Sequence, residues 1–468
     1  MLDKILSLKN GVNSVREFTD CIRQGVPSAV FGVPDAFKNY LVSTVSDKVL
    51  YIVKDAITAR AAVSAVSEIA SKTAVYIPPK DEILLSSRAF SKDNAYARIS
   101  ALSKINDVDV IVTTAEALMQ TAPKVMRSLN LVKDGDYKQW DAVENLVAMG
   151  YSRVDSVVSH GTFALRGDIL DVFPVNADSP VRIDFFGDTV EAIKRYDPDT
   201  RENLGYVDSV EILQAAEFTF AEDDINLFKA LLRKEIATAD KDAETRLKVL
   251  RDDLYLAMEN RDLDGMSALS VLSKDCGSIF DLIDRETVVI VDEAKRVNEI
   301  AVLNFTEFTE RFNSLKVAGE VFSFAERNFT SVEVLGEKIR EHRVAGLQAL
   351  STAIPLFNPL KIINPSAGAV ADYQLDFKEI FTDIDNWLKS GYSVTVCTGD
   401  IKRSENLSFE LSGRGIASTV DGTGELRGVD IRSIKLSRGF IFHEEKAVVI
   451  GSGNIYASPV SERRLKSK

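Results

Sequence analysis

The 468-residue sequence is poor in the residues that usually carry chemistry. It holds three cysteines, Cys21, Cys276 and Cys397, and three histidines, His160, His342 and His443, all far apart along the chain. None of them has the spacing of a zinc site, and no nucleophile–base set emerges. The cysteines therefore read as reduced and structural, and neither metal nor cofactor is expected. No apolar run approaches the about 20 residues that a membrane helix needs, and the start MLDKILSLKNGV lacks the apolar core and small-residue cleavage site of a signal peptide. A cytoplasmic protein with no membrane partner is expected. Basic charge is short as well: 57 Lys and Arg against 70 Asp and Glu leave a net charge of −13. Duplex-binding domains carry a basic stripe that displaces counterions from phosphates, so tight DNA binding by this chain alone is disfavoured. Protein partners fit better.

What is present is a hydrophobic content of 45% and length enough for about three domains. Residues 1–26 read as a leading helix, with Ile5, Leu6, Val12, Val15, Phe18 and Ile22 roughly at helical spacing. The apolar strand Ser28 to Phe31 then runs into GVPDAFKN, where a phosphate-binding loop would lie. A Walker loop needs glycine, four residues, Gly-Lys and a hydroxyl residue, because backbone N–H groups cradle phosphates and the hydroxyl holds magnesium. Gly32 and Lys38 stand at that spacing, but Phe37 replaces the second glycine and Asn39 the hydroxyl. Pro34 offers no N–H, Asp35 brings negative charge, and Phe37 adds bulk where backbone must approach closely. The stretch reads either as a phosphate loop that no longer binds nucleotide or as a chance match. Strand and helix then alternate through residue 113, which implies a parallel sheet wrapped by helices. Residues 221 to 275 read as charged helices with short leucine stripes. Val288 to Val291 is a buried strand ending in Asp292-Glu293, the place of a Walker B pair. With the loop spoiled, a structural role is favoured for both acids. Past residue 350 a small α/β unit is expected, with helices over 377–389 and 404–412 and strands over 393–398, 431–436, 440–442 and 447–450.

The most patterned stretch is FALRGDILDVFPVNADSPVRIDFFGDTVEAIKRYDPDTR, residues 163 to 201. Strand side chains alternate faces, so Val181, Ile183 and Phe185 point one way and Arg182, Asp184 and Phe186 the other. Gly187-Asp188 fits a two-residue, glycine-first turn, which sets Phe186 opposite Thr189 and Asp184 opposite Glu191. Facing like charges and an aromatic on a polar face both point to a covering surface. Arg166, Arg182 and Phe186 can share that surface, an arginine and aromatic combination suited to interface anchors. The alternative is that the arginines pair with Asp168, Asp171 and Asp184 on a solvated sheet.

RGDILDVFP followed by PVRIDFFGDTVEAIKRYDPDT resembles the small second domain shared by the excision-repair subunit UvrB and the transcription-repair coupling factor Mfd, and the flanking text with LSRGFIFHEEKAVVIGSGNIY is closer to Mfd. In that family the domain docks onto UvrA, and the family's contact residues match Arg166, Arg182 and Phe186. The resemblance implies an α/β fold: a degenerate P-loop (RecA-like) parallel-sheet domain over 1–124 and 216–340, interrupted by a small β-rich α+β domain over 125–215. A separate small α/β domain over 350–455 and a linker over 456–468 follow. The segment Pro78 to Tyr96 lacks the long aromatic hairpin with which UvrB probes damaged DNA, and nothing resembles a working helicase motif set. The family also implies contacts with RNA polymerase and DNA through carboxy-terminal domains beyond this chain, which could mask the contact face. The reading is a UvrA-recruiting adaptor with no nucleotide hydrolysis of its own; its rival is a nucleotide-dependent, damage-sensing subunit like UvrB.

Overall fold

In the computed structural model, which describes residues 13–81, 83, 84, 92–239, 241–422 and 428–456, short β-branched runs and amphipathic helices assemble three main sheets. The leading helix appears as α1 (Ser14–Arg23), capped by Asn13 and burying Val15, Phe18 and Ile22. Its Ile5, Leu6 and Val12, like residues 457–468 of the expected 456–468 linker and part of the 78–96 segment, lie outside the described residues. β1 (Ser28–Phe31), α2 (Asp35–Thr44), β2 (Val49–Val53), α3 (Ala56–Ala70), β3 (Ala74–Ile77), α4 (Asp93–Ser103), β4 (Val110–Thr114) and α5 (Ala115–Met119) then alternate.

The middle of the chain is β-rich. It holds β5 (Ala122–Pro123), β6 (Ser128–Val132), α6 (Gln139–Ala148), β7 (Ser152–Arg153), β8 (Thr162–Arg166), β9 (Ile169–Phe173), β10 (Val181–Phe186), β11 (Thr189–Tyr196), β12 (Asn203–Val207) and β13 (Ser209–Leu213). Strands β7 to β12 form a six-stranded sheet in the order β12-β11-β10-β9-β8-β7, antiparallel except at β7–β8. Its inner face buries Phe163, Leu170, Val172, Ile183 and Phe185 against Ala142, Val143 and Leu146 of α6.

Helices α7 (Glu222–Thr238) and α8 (Lys241–Glu259) follow, and they close a small core of their own around Phe228, Leu232, Leu254 and Phe322. After β14 (Cys276–Gly277), the strands β15 (Val288–Asp292), β16 (Arg343–Gln348) and β17 (Lys361–Ile363), with α9 (Ala294–Ala318) and α10 (Val332–Arg340), return the chain to its first layer. The resulting sheet is parallel throughout, in the order β17-β1-β16-β15-β2-β4-β3. Both faces are covered, which is why its strands read as unbroken apolar runs rather than alternating ones.

β18 (Ala367–Ala369), α11 (Phe377–Lys389), β19 (Ser393–Cys397), α12 (Ile401–Gly413), β20 (Ser418–Val420), β21 (Val429–Arg432), β22 (Phe440–Phe442) and β23 (Ala447–Ile450) make the third, mixed sheet and its helices. Helix α12 starts earlier than expected because Asp400 caps it, accepting from Arg403 N at 2.9 Å. Strand β21 ends at Arg432 rather than running on to Leu436, which instead joins the core between the first and third sheets.

The first and third sheets share that core. Phe37 and Tyr40 of α2 pack on Phe440 and Phe442, with ring centroids 5.1–5.3 Å apart for Phe37–Phe440, Phe37–Phe442 and Tyr40–Phe440. Polar contacts rim the seam: Glu68 accepts from Ser437 N at 3.0 Å, and Glu444 accepts from Ser14 N at 3.0 Å at the start of α1. Among the described residues no helix is long and apolar enough to cross a membrane.

Candidate docking face and the buried lysine site

Alternation along β10 places Arg182, Asp184 and Phe186 on the face of the middle sheet opposite its core, as expected. The ladder extends that face across neighbours. Asp171 of β9 stands opposite Arg182, and Ile169 opposite Asp184. Arg166 of β8 is in turn opposite Ile169, so the three predicted residues do lie on one face. Phe186 is 79% exposed, an unusual position for a large ring on a strand otherwise half-buried.

The hairpin register differs from the expectation at one point. Phe186 pairs with Thr189 as anticipated, but a bulge between Asp184 and Phe185 sets Asp184 opposite Ala192 and leaves Glu191 as the extra residue. The predicted clash of Asp184 with Glu191 is thereby avoided, and Asp184 takes an ion pair with Lys194 at 3.2 Å. Glycine at 187 supplies the positive φ of 63° that the turn requires.

The two arginines differ in kind. Arg182 grips Asp171 bidentately, Nε to Oδ1 at 2.7 Å and Nη2 to Oδ2 at 2.8 Å, and its guanidinium lies 5.3 Å from the Tyr196 ring. Asp171 is buried, so Arg182 neutralises a carboxylate that could not stand alone. The alternative pairing considered for the sequence is realised at this arginine. Burial and the nearby Asp171 charge push the Tyr196 hydroxyl up to about 12, against the two arginines Arg201 and Arg182. Arg166, by contrast, is exposed and donates to the backbone oxygen of Asp155. One neighbour escaped sequence reasoning: Gln139 of α6 donates to Gly167 O at 2.9 Å and ties that helix to the Arg166 turn.

The other candidate set converges at the carboxyl ends of β1 and β15, which are separated by β16. Gly32 follows β1 with φ of 76°, and a side chain there would meet no atom within 4 Å, so it is the backbone angle that calls for glycine. Lys38 of α2 is 1% exposed. Its Nζ lies 2.6 Å from Glu293, 2.8 Å from Asp292 and 3.2 Å from Asp35. Burial alone would discharge it, but Asp292 and Glu293 outweigh that and hold the ammonium charged above its ordinary range. The Asp292 carboxyl is pushed up to about 6 by burial, with Lys38 pulling the other way. Glu293, itself at a left-handed φ of 48°, also accepts from Ala349 N at 2.7 Å. Lys38 thus donates to Glu293 and Asp35 and ion-pairs with Asp292, whose buried Oδ1 has no hydrogen-bond partner among the described residues. Phe37, beside Lys38, faces the third sheet.

Residues 129–218 match the family model described as the UvrB interaction domain. The chain is 23% identical to the transcription-repair-coupling factor of Bacillus subtilis over 412 residues, 84% of this chain and 35% of that protein. It is 24% identical to that of Staphylococcus epidermidis over 339 residues, covering 70% and 28%. A shorter match, 29% over 184 residues, reaches the Haemophilus influenzae factor, with 38% and 16% covered. The chain spans about a third of the length of the first of these relatives. It is thus related, along most of its own length, to the transcription-repair-coupling factors, and its middle unit is the part that matches the UvrB interaction domain.

Proposed function

We propose that this chain is a docking adaptor that recruits UvrA in transcription-coupled nucleotide excision repair of DNA, without hydrolysing nucleotide itself. The observation that carries the reading is Phe186, 79% exposed on the outward face that also bears Arg166, within the matched domain. A phenyl ring held out from a strand, beside an exposed arginine, is the composition of an interface hot spot. Arg182 contributes by presenting a fixed, Asp171-paired guanidinium. On this reading the domains divide as 1–124 with 216–340, 125–215, and 350–455. Contacts with RNA polymerase and DNA, and the ATP-driven motor, fall to parts of such factors outside this chain, which can also mask the docking face.

The absence of hydrolysis rests on Lys38. In a working phosphate loop this lysine reaches phosphate and the acids hold magnesium. Here the ammonium is within 2.8 Å of both Asp292 and Glu293, so the cation and the acids occupy each other, and Pro34, Asp35 and Phe37 remove the cradle. We read the site as a degenerate P-loop retained as a structural ion cluster.

Calorimetric titration of UvrA tests the docking role. Phe186→Ala is expected to weaken binding by roughly 2 kcal/mol or more; unchanged affinity rejects it. Phe186 is a cleaner probe than Arg182, whose replacement also strands buried Asp171. The rival, a nucleotide-dependent damage-sensing subunit, requires ATP binding with magnesium present, and heat released in that titration would favour it over the adaptor.

A further inference from the structure

The outward face of the middle sheet does not stop at Phe186. Tyr206 of β12 pairs with Lys194, and Lys194 pairs with Arg182, so Tyr206 stands on the same face. It is 68% exposed. Between the two rings lies the Lys194–Asp184 pair, flanked on the β9 side by the Arg182–Asp171 pair, each already neutral, with Ile169 exposed opposite Asp184. Strands lie about 4.8 Å apart and rise about 3.3 Å per residue. Two strand steps and the run from Thr189 to Lys194 therefore put the rings roughly 15–20 Å from each other. One partner's share of a standard interface is about 800 Å², a patch about 30 Å across. Both rings fit within one footprint.

Resting on the docking reading above, we propose that Tyr206 is a second aromatic anchor for UvrA, so that the partner is held at two apolar points with a strip of internally paired charge between them. Tyrosine suits such a position because it buries a large ring at small entropic cost while its hydroxyl stays hydrated at the rim. The paired charges contribute selection rather than attraction: a partner surface that places like charge on Arg182 or Asp184 cannot close over both rings. The matching chemistry on UvrA is two apolar pockets flanking a polar, near-neutral band.

Calorimetric titration of UvrA into the full chain tests this. Tyr206→Ala should weaken binding about tenfold, and Tyr206→Phe should stay within about twofold, since it is the ring that anchors. If Phe186→Ala weakens binding while Tyr206→Ala stays within about twofold, the second anchor is refuted and the docking reading stands. If neither variant weakens binding, both fall. Hydrogen–deuterium exchange on the unaltered chain gives an answer independent of any variant's folding. Saturation with UvrA should slow exchange across residues 203–207, and unchanged exchange there overturns the proposal.

Discussion

At the scale of single residues, the buried lysine cluster makes the sharpest prediction. Asp292 is raised from 3.8 to about 6 by burial, so the folded chain holds a proton more tightly than the unfolded one. Its contribution therefore favours folding increasingly as pH falls from about 6 towards 4, and above 6 the buried charge costs stability. The gap corresponds to about 3 kcal/mol. Asp292→Asn removes the titration, so the stability difference between wild type and variant should change by up to that amount between pH 6 and pH 4 and stay flat above pH 7. Urea unfolding at a series of pH values reads this. A difference that is constant across the series would mean that Asp292 does not titrate in that window. At the same scale, alternation in the sequence put Arg182 and Phe186 on one face, which Arg166 could share, but did not tell which arginine was free. Asp168, Asp171 and Asp184 were all within plausible reach of Arg182, and only the register selects Asp171.

At the scale of the element, the hairpin shows what periodicity cannot carry. Alternation gave the two faces of β10 and the turn residues gave the loop, whereas a one-residue bulge leaves both patterns intact on either side of itself. Val190 and Ile193 are both buried with two residues between them, a spacing that a regular strand cannot produce. That was the legible trace of the bulge. Because Glu191 is the extra residue, deleting it restores plain alternation without turning Ile193 outward. The deletion is expected to cost no more than about 1 kcal/mol and to leave UvrA affinity unaltered. Loss of the middle unit's cooperative melting in circular dichroism would contradict this. Helix and strand positions in the first sheet were legible for the opposite reason: strands covered on both faces read as continuous apolar runs whose lengths separate them from helices.

At the scale of the whole molecule, the third sheet is braced against the first by Phe440 and Phe442 on Phe37 and Tyr40. Phe440→Ala should destabilise the chain by about 3–5 kcal/mol and expose the 429–450 region to protease. An unchanged melting curve with unchanged digestion would show the seam to be dispensable. This docking was hidden in the sequence because Phe37 reads as a defect in a phosphate loop, and nothing local tells where its ring goes. The acidic balance of the chain, by contrast, was an open statement about partners from the start.

The seam also bears on whether the stretch from Gly32 to Lys38 could take up a nucleotide. Glycine at position 37 would vacate a ring that three aromatic neighbours, Tyr40, Phe440 and Phe442, enclose. Freeing Lys38 for a ligand would strand Asp292 and Glu293 together. Each of these single steps towards nucleotide chemistry thus costs the fold a packing or charge contact, and the arrangement works as a latch that no one mutation opens.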